Sequence, residues 1–212
     1  MSEVTRVYAG RLAGMVVRGP ETDVIGRVRD VVVNVRPAGH QSRVLGLVVE
    51  MTNKRRIFLP MLRIASIDPH EIMLVSGSVS LRAFKPRTGE LTIMGDIIGA
   101  KVQVDDPDLP KIHAKPVEVA DIEIERTRTR DWAISAVAVI SERAKFGRRT
   151  EILIASWRHV HGITAAGVGI SDAAAELLAE FEDMRPADVA TALYELPESQ
   201  RHSVASELDD ER

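Results

Sequence analysis

Between residues 24 and 67 the chain alternates short β-branched runs with polar breaks. Val24-Ile25-Gly26-Arg27-Val28-Arg29-Asp30-Val31-Val32-Val33-Asn34-Val35 leads into a polar gap at residues 36–42, and Val44-Leu45-Gly46-Leu47-Val48-Val49-Glu50 follows. A charged turn at residues 53–56 then gives way to Ile57-Phe58-Leu59-Pro60 and Arg63-Ile64-Ala65-Ser66-Ile67. Apolar runs of this length, bounded by Gly, Pro and Asn, predict sequential antiparallel strands joined by tight turns. The plan then returns. Val119-Ala120-Asp121-Ile122-Glu123-Ile124 echoes Val28-Arg29-Asp30-Val31-Val32-Val33, and Asp131–Val137 falls where Arg43–Val49 stood. Gly147-Arg148-Arg149 repeats the basic turn Lys54-Arg55-Arg56, and Ile152–Val160 matches Ile57–Ile64 in kind. Self-similarity at a fixed spacing predicts two copies of one small β unit.

The division that follows is a first unit over residues 10–76, a linker over 77–94 and a second unit over 95–166. Ahead of the first unit, residues 1–10 read as a frayed lead-in or an edge strand. Lys85-Pro86-Arg87-Thr88-Gly89 has linker composition. The texture changes after Gly162. Ser171-Asp172 with Glu176 reads as a helix start, and Ala174, Leu177, Leu178 and Phe181 recur at helical period. Arg185-Pro186 and Pro197 open two further helices by the same logic, the second ending with Val204, Ala205 and Leu208 inward. The predicted fold class is β-rich plus α: two small antiparallel β-barrels followed by a short α-helical segment at 171–212. Helices of this length need neighbours to bury their faces.

Charge separates the same two regions. The chain has 212 residues and a formal net charge of −3, but residues 1–170 carry 25 basic and 19 acidic side chains. Residues 171–212 carry 3 and 12. A mildly basic β body with an acidic tail suggests two partners or two roles rather than one nucleic-acid surface. Cysteine is absent, which excludes disulfides and thiolate metal sites and is compatible with a reducing cytosol. No apolar run reaches the length of a membrane helix and no secretory layout opens the chain. The expected location is cytoplasmic, with a peripheral place at the inner membrane face as a variant.

Candidate chemistry is sparse. Asp30 and its counterpart Asp121, each set among apolar strand residues, read as backbone-capping acids rather than catalysts, because no partner base stands near them. His159 and His161 are two apart, hence on one strand face, with no third ligand in view. Asp105, Asp106 and Asp108 offer hard oxygen ligands, but Asp-Asp-Pro-Asp lacks the glycine and distant glutamate of a calcium loop and reads as an Asx-Pro turn. Arg126, Arg128 and Arg130 alternate with Thr and place three guanidiniums on one strand face. With the two basic turns they could grip RNA or anionic headgroups, although aromatics are only 4% and do not interleave with them. Nucleophile elbow, phosphate loop and catalytic carboxylate–histidine pairing are all missing from the sequence. The expectation is no catalytic, cofactor-binding or metal site.

The 24–67 pattern resembles the PRC-barrel, carried by Ile25-Gly26-Arg27-Val28-Arg29-Asp30-Val31-Val32-Val33, by Leu45-Gly46-Leu47-Val48-Val49-Glu50 and by Arg56-Ile57-Phe58-Leu59-Pro60 with Ile64-Ala65-Ser66-Ile67. The second copy departs from it with Ser156-Trp157 near the Pro60 position. The tail resembles the N-terminal helical domain of MgtE-type magnesium transporters, carried by Pro186-Ala187-Asp188-Val189-Ala190 and Leu193-Tyr194-Glu195-Leu196-Pro197-Glu198. The paired resemblances imply a non-enzymatic regulatory or scaffolding module of a magnesium transport or sensing system. Its ion would be weak, regulatory Mg²⁺; no ligand of that family carries over to a residue here, but the acidic tail itself could collect divalent cations weakly through Glu180, Glu182, Asp183, Asp209, Asp210 and Glu211. Its partner would be a CBS-type or transporter module, or another copy of itself. Asp188 reads as a first-turn acid favoured by the helix dipole. The alternative is an RNA-processing or ribosome-assembly adaptor using the basic turns. Assembly through the β units alone is the third possibility.

Overall fold

The computed structural model describes residues 5–36, 41–77, 79–87, 89–113, 115–142, 150–164, 167–168 and Ala192. The predicted helices of 171–212, and the Mg²⁺-collecting acids on them, lie outside these residues, Ala192 excepted. What is described is β-rich, in a 13-stranded mixed sheet with a separate two-stranded ladder.

The first unit begins earlier than its sequence pattern. β1 (Arg6–Tyr8) runs into a single helical turn, α1 (Ala9–Leu12), and then β2 (Val16–Arg18). β3 (Val24–Asn34), β4 (Arg43–Glu50) and β5 (Arg56–Pro60) form an antiparallel meander. A 3-10 turn at Met61–Arg63 leads to the hairpin of β6 (Ile64–Ile67) and β7 (Glu71–Leu74), and β7 lies parallel to β2.

The second unit repeats this order. β8 (Glu90–Thr92), a π turn at Ile93–Ile97 and β9 (Lys101–Val104) precede the meander β10 (Val117–Arg126), β11 (Trp132–Glu142) and β12 (Glu151–Ser156). A 3-10 turn at Trp157–His159 leads to β13 (Val160–His161), which pairs directly with β9. β14 (Ile163–Thr164) and β15 (Gly167–Val168) form the small ladder. The stretch read as a linker therefore contains β8 and the start of the π turn. A three-residue strand between a Lys-Pro-Arg-Thr-Gly run and a Met-Gly-Asp turn is too short to announce itself by periodicity.

The two units exchange their lead-ins. β1, which opens the first unit, pairs with β10 of the second, and β8, which opens the second, pairs with β3 of the first. Both long strands carry a bulge in the same place, between Val28 and Asp30 and between Val119 and Asp121. A bulge re-aims the next side chain. Asp30 Oδ1 accepts from the backbone N–H of Val31 (2.8 Å) and Met94 (2.8 Å), and Oδ2 accepts from Gly95 (3.1 Å). Asp121 Oδ1 accepts from Ile122 (2.8 Å) and Gly10 (3.0 Å). Each aspartate thus holds the turn of the opposite unit, which is the capping role its sequence context suggests. The approach at Gly10 is close enough that a Cβ there would stand 2.7 Å from Asp121 Oδ2.

β4 and β11 meet across the pseudo-twofold, where Ala133 pairs with Arg43. The ladders equate Gly46 with Ala136, because they pair with Pro60 and Ser156, the residues just before the two 3-10 turns. Arg43 therefore corresponds to Ala133 rather than to Asp131, a two-residue correction to the sequence register. Inward residues of both units, Leu47, Ile57, Val31, Ile122, Ile124 and Val137 among them, form one continuous core cluster. A buried hydrogen bond joins the halves: Trp157 Nε1 donates to Ser42 Oγ (2.9 Å), which also accepts from Arg36 N–H (3.0 Å).

Candidate binding cleft

The open edge of β5 is covered by the segment that leaves the first unit. Phe84 N–H donates to the Arg56 carbonyl (2.9 Å), and Ala83 makes an antiparallel bridge with Ile57. The Phe84 ring stacks on Phe58, with centroids 6.2 Å apart and planes inclined by 23°. Phe58 lies flat because Gly46 sits under it: a Cβ on Gly46 would fall 2.7 Å from the ring edge.

Strap, strand and 3-10 turn enclose a cleft of about 470 Å³ lined by Phe58, Pro60, Val79, Phe84 and a ring of charge. Arg63, Arg82, Lys85 and Arg87 stand around it against the single carboxylate of Glu90. All four cations are exposed, while both phenyl rings are half-buried. Arg63 is steadied by Ser76 Oγ (3.0 Å), and Glu90 accepts from the Arg87 backbone N–H (3.0 Å). An apolar floor rimmed by fixed positive charge suits an anionic ligand with an apolar portion. The cleft thus falls in the stretch whose composition reads as a linker, where the sequence signal is Phe84-Lys85-Pro86-Arg87, an aromatic set beside two cations.

The sequence-selected residues gather elsewhere. Asp105, Asp106, His159 and His161, weighed apart as an acidic loop and a histidine pair, come together in the second unit. His159 ends the 3-10 turn and only His161 lies on β13, so the two do not share a strand face as their spacing suggested. His161 Nε2 stands 3.3 Å from Asp105 Oδ2, and His113 Nδ1 stands 3.7 Å from Asp105 Oδ1. His159 Nδ1 is 3.3 Å from Asp106 Oδ2 without hydrogen-bond alignment.

Asp106 is buried, and its Oδ1 accepts from Asp108 N–H (3.1 Å) in an Asx turn while Oδ2 accepts from Ser156 N–H (3.3 Å). Burial pushes the Asp106 carboxyl up, but these two N–H donors and the neighbouring His159 imidazole outweigh it and hold it below the ordinary aspartate range. Asp108 is exposed. Among the described residues no three carboxylates or imidazoles converge in a way that could hold a metal ion.

Arg126, Arg128 and Arg130 do not line one strand face. β10 ends at Arg126, and Thr127–Asp131 is a tight turn closed by Thr127 N–H to the Asp131 carbonyl (2.7 Å), with Arg130 at φ 68°. A threonine–arginine alternation has strand periodicity, but the Asp131 side chain binds Thr129 Oγ1 (3.0 Å) and favours the turn. Lys54 likewise occupies a turn, at φ 64°. Arg148 and Arg149 lie outside the described residues.

Residues 91–166 match the family model described as the actinomycetes SH3 domain. That span runs from within β8 through the π turn and the second unit as far as β14, stopping just before β15. No curated protein matches the chain. Among the described residues no helix is long and apolar enough to cross a membrane. The match is to a small β-domain of the SH3 kind over part of this chain.

Proposed function

We propose that the protein is a non-enzymatic binding and scaffolding module whose first unit takes an acidic segment of a partner polypeptide in the cleft between β5 and the 79–87 strap. The observation that carries this reading is the four-to-one excess of cations over carboxylates around an apolar floor. Each unit acts as a small barrel-like module of the PRC or SH3 kind, and the SH3 match over 91–166 supports a protein-binding role. Phe58 and Phe84 spend facing surfaces on one another, which leaves the cleft better suited to an aliphatic side chain than to stacked bases.

The regulatory part of the role, within a magnesium transport or sensing system at the cytoplasmic membrane face, is proposed on the acidic segment 171–212. Millimolar Mg²⁺ would screen Glu180, Glu182 and Asp183 there and let the segment approach another acidic module. A second reading, RNA adaptation, draws on the four exposed cations alone, which would grip a phosphate backbone as well as carboxylates.

Titration of the full chain with a fluorescent Asp/Glu-rich peptide carrying one leucine, and in parallel with an oligouridylate, separates the two. Peptide binding that weakens on the order of tenfold in Arg63→Ala/Arg87→Ala supports the cleft reading, as loss of two charge-assisted contacts would. Preferential oligouridylate binding, weakened by the same variant, would overturn it for the RNA reading. Binding of either probe unaffected by the variant would sink the cleft as the site.

A further inference from the structure

The two units offer a control for one another at their outer edges. In the first unit Ile57 is fully buried in the core, and on the other face of β5 Phe58 lies under Phe84, because the chain leaving that unit returns across the strand. The ladder equates Arg56, Ile57 and Phe58 with Ile152, Leu153 and Ile154 on β12. There Ile152 is 54% and Ile154 59% exposed, and Leu153 is only half-buried. β12 pairs with β11 alone among the described strands. The second edge is therefore more apolar than the first at the position of Arg56, yet less covered.

In the first unit the covering segment is the stretch of chain that follows the unit, and it brings Val79, Ala83 and Phe84. The stretch in the same position after the second unit begins beyond Val168 and brings Leu177, Leu178 and Phe181. Two exposed isoleucines on one strand face form the kind of apolar surface that is covered by a partner or by the chain itself. Covering it from within one chain costs only the closure of a short loop.

We propose that the β12 edge is an intramolecular docking site for residues 171–183 of this same chain, with Leu177, Leu178 and Phe181 seated on Ile152 and Ile154. The acidic residues Glu180, Glu182 and Asp183 are carried with that segment, so docking fixes where the acidic tail leaves the β body. Release of the segment frees both the tail and an apolar edge for another protein.

The absence of cysteine makes the test clean. In the full chain, Ile154→Cys/Phe181→Cys is oxidised at low protein concentration beside a control, Leu62→Cys/Phe181→Cys, whose partner lies on an 85%-exposed residue of the first unit. An intramolecular disulfide forming on the order of tenfold faster than the control is expected from the raised effective concentration. Equal rates overturn the proposal. Cross-linked dimers in place of the intramolecular product overturn it too and assign the edge to a second copy. Hydrogen exchange gives an independent reading. Protection of residues 177–181 should be lost in Ile152→Asp/Ile154→Asp, whose exposed sites leave the core intact; unchanged exchange counts against docking.

Discussion

The two units share a strand plan, a bulge, an aspartate cap and a 3-10 turn, and they differ in what is laid over that plan. The first inserts the β6–β7 hairpin beside β2 and covers its β5 edge with a cationic strap. The second pairs β13 with β9 directly, replaces Met61 by Trp157 at the start of the 3-10 turn, and packs a buried aspartate against it. The duplicated part is what holds the molecule together, since the exchanged lead-ins and the aspartates cross between units. On the proposed reading, the divergent part is where a ligand would be recognised. Function follows the additions to the sheet rather than the sheet.

The crossing aspartates give the most forceful way to break the comparison. Asp30→Ala removes the acceptor of three backbone N–H groups, and Asp121→Ala removes that of two. With each stranded donor a sizeable fraction of a hydrogen-bond penalty, losses of about 3 kcal/mol and about 2 kcal/mol follow. Urea unfolding should show both as shifts of a single transition. Two separate transitions, with Asp30→Ala affecting one only, would show that the units do not depend on each other.

A smaller effect is expected at the strap. Phe84→Ala deletes a half-buried ring and its stacking on Phe58, which makes the first edge resemble the second. Aromatic pairing and partial burial together put the loss at about 1–2 kcal/mol, well under that of a core phenylalanine. Thermal unfolding measures it. A loss as large as that for Asp30→Ala would mean that the strap belongs to the core.

Much of this was legible in the residues, and the gaps have physical causes. The repeat was visible because a bulge and cap demand the same apolar-x-Asp-apolar arrangement twice, at Val28–Val31 and Val119–Ile122. The exchange of lead-ins was not, because Arg6–Tyr8 and Glu90–Thr92 are three-residue strands whose partners lie more than fifty residues away. Periodicity reports an element's faces and not its neighbours. The register slipped by two residues at Asp131 because the turn at Thr127–Asp131 consumes residues that alternate like a strand. The cleft was missed for a similar reason: Phe58 and Phe84 sit in separate segments, and the bridge at Ala83 and the Phe84 N–H bond to Arg56 bring them together. His159 and Asp106 were each singled out, yet their meeting depends on β13 pairing with β9.

Acid titration sharpens the comparison at the smallest scale, because half-buried Asp30 of the first unit and buried Asp106 of the second are shifted in opposite directions. Burial raises the Asp30 carboxyl despite its N–H donors from Met94, Val31 and Gly95, and nearby Asp96 adds to the rise. Asp106 is held down, its donors overcoming burial. A depressed acid contributes stability that is present above its unfolded pKa, near 3.8, and is lost as pH falls through the lower folded value. A raised acid does the reverse: it takes up its proton first in the folded state, so acidification favours folding from its raised folded value down to about 3.8, above the range in which the depressed acid acts. Glu50, held down by Arg29, and Glu151, held down by Ser141 and Lys111, side with Asp106. The chain should therefore lose stability as the pH falls below about 4.5 for the two glutamates and below about 3.8 for Asp106, down through their lowered folded values. Asp106→Asn should flatten that decline, and Asp30→Asn should steepen it. The quantity to compare is the slope of unfolding free energy against pH, not its level, since either amide also alters hydrogen bonding at every pH. Equal slopes in the two variants would mean that Asp30 and Asp106 sense the same environment, and the difference between the units would then lie in their edges alone.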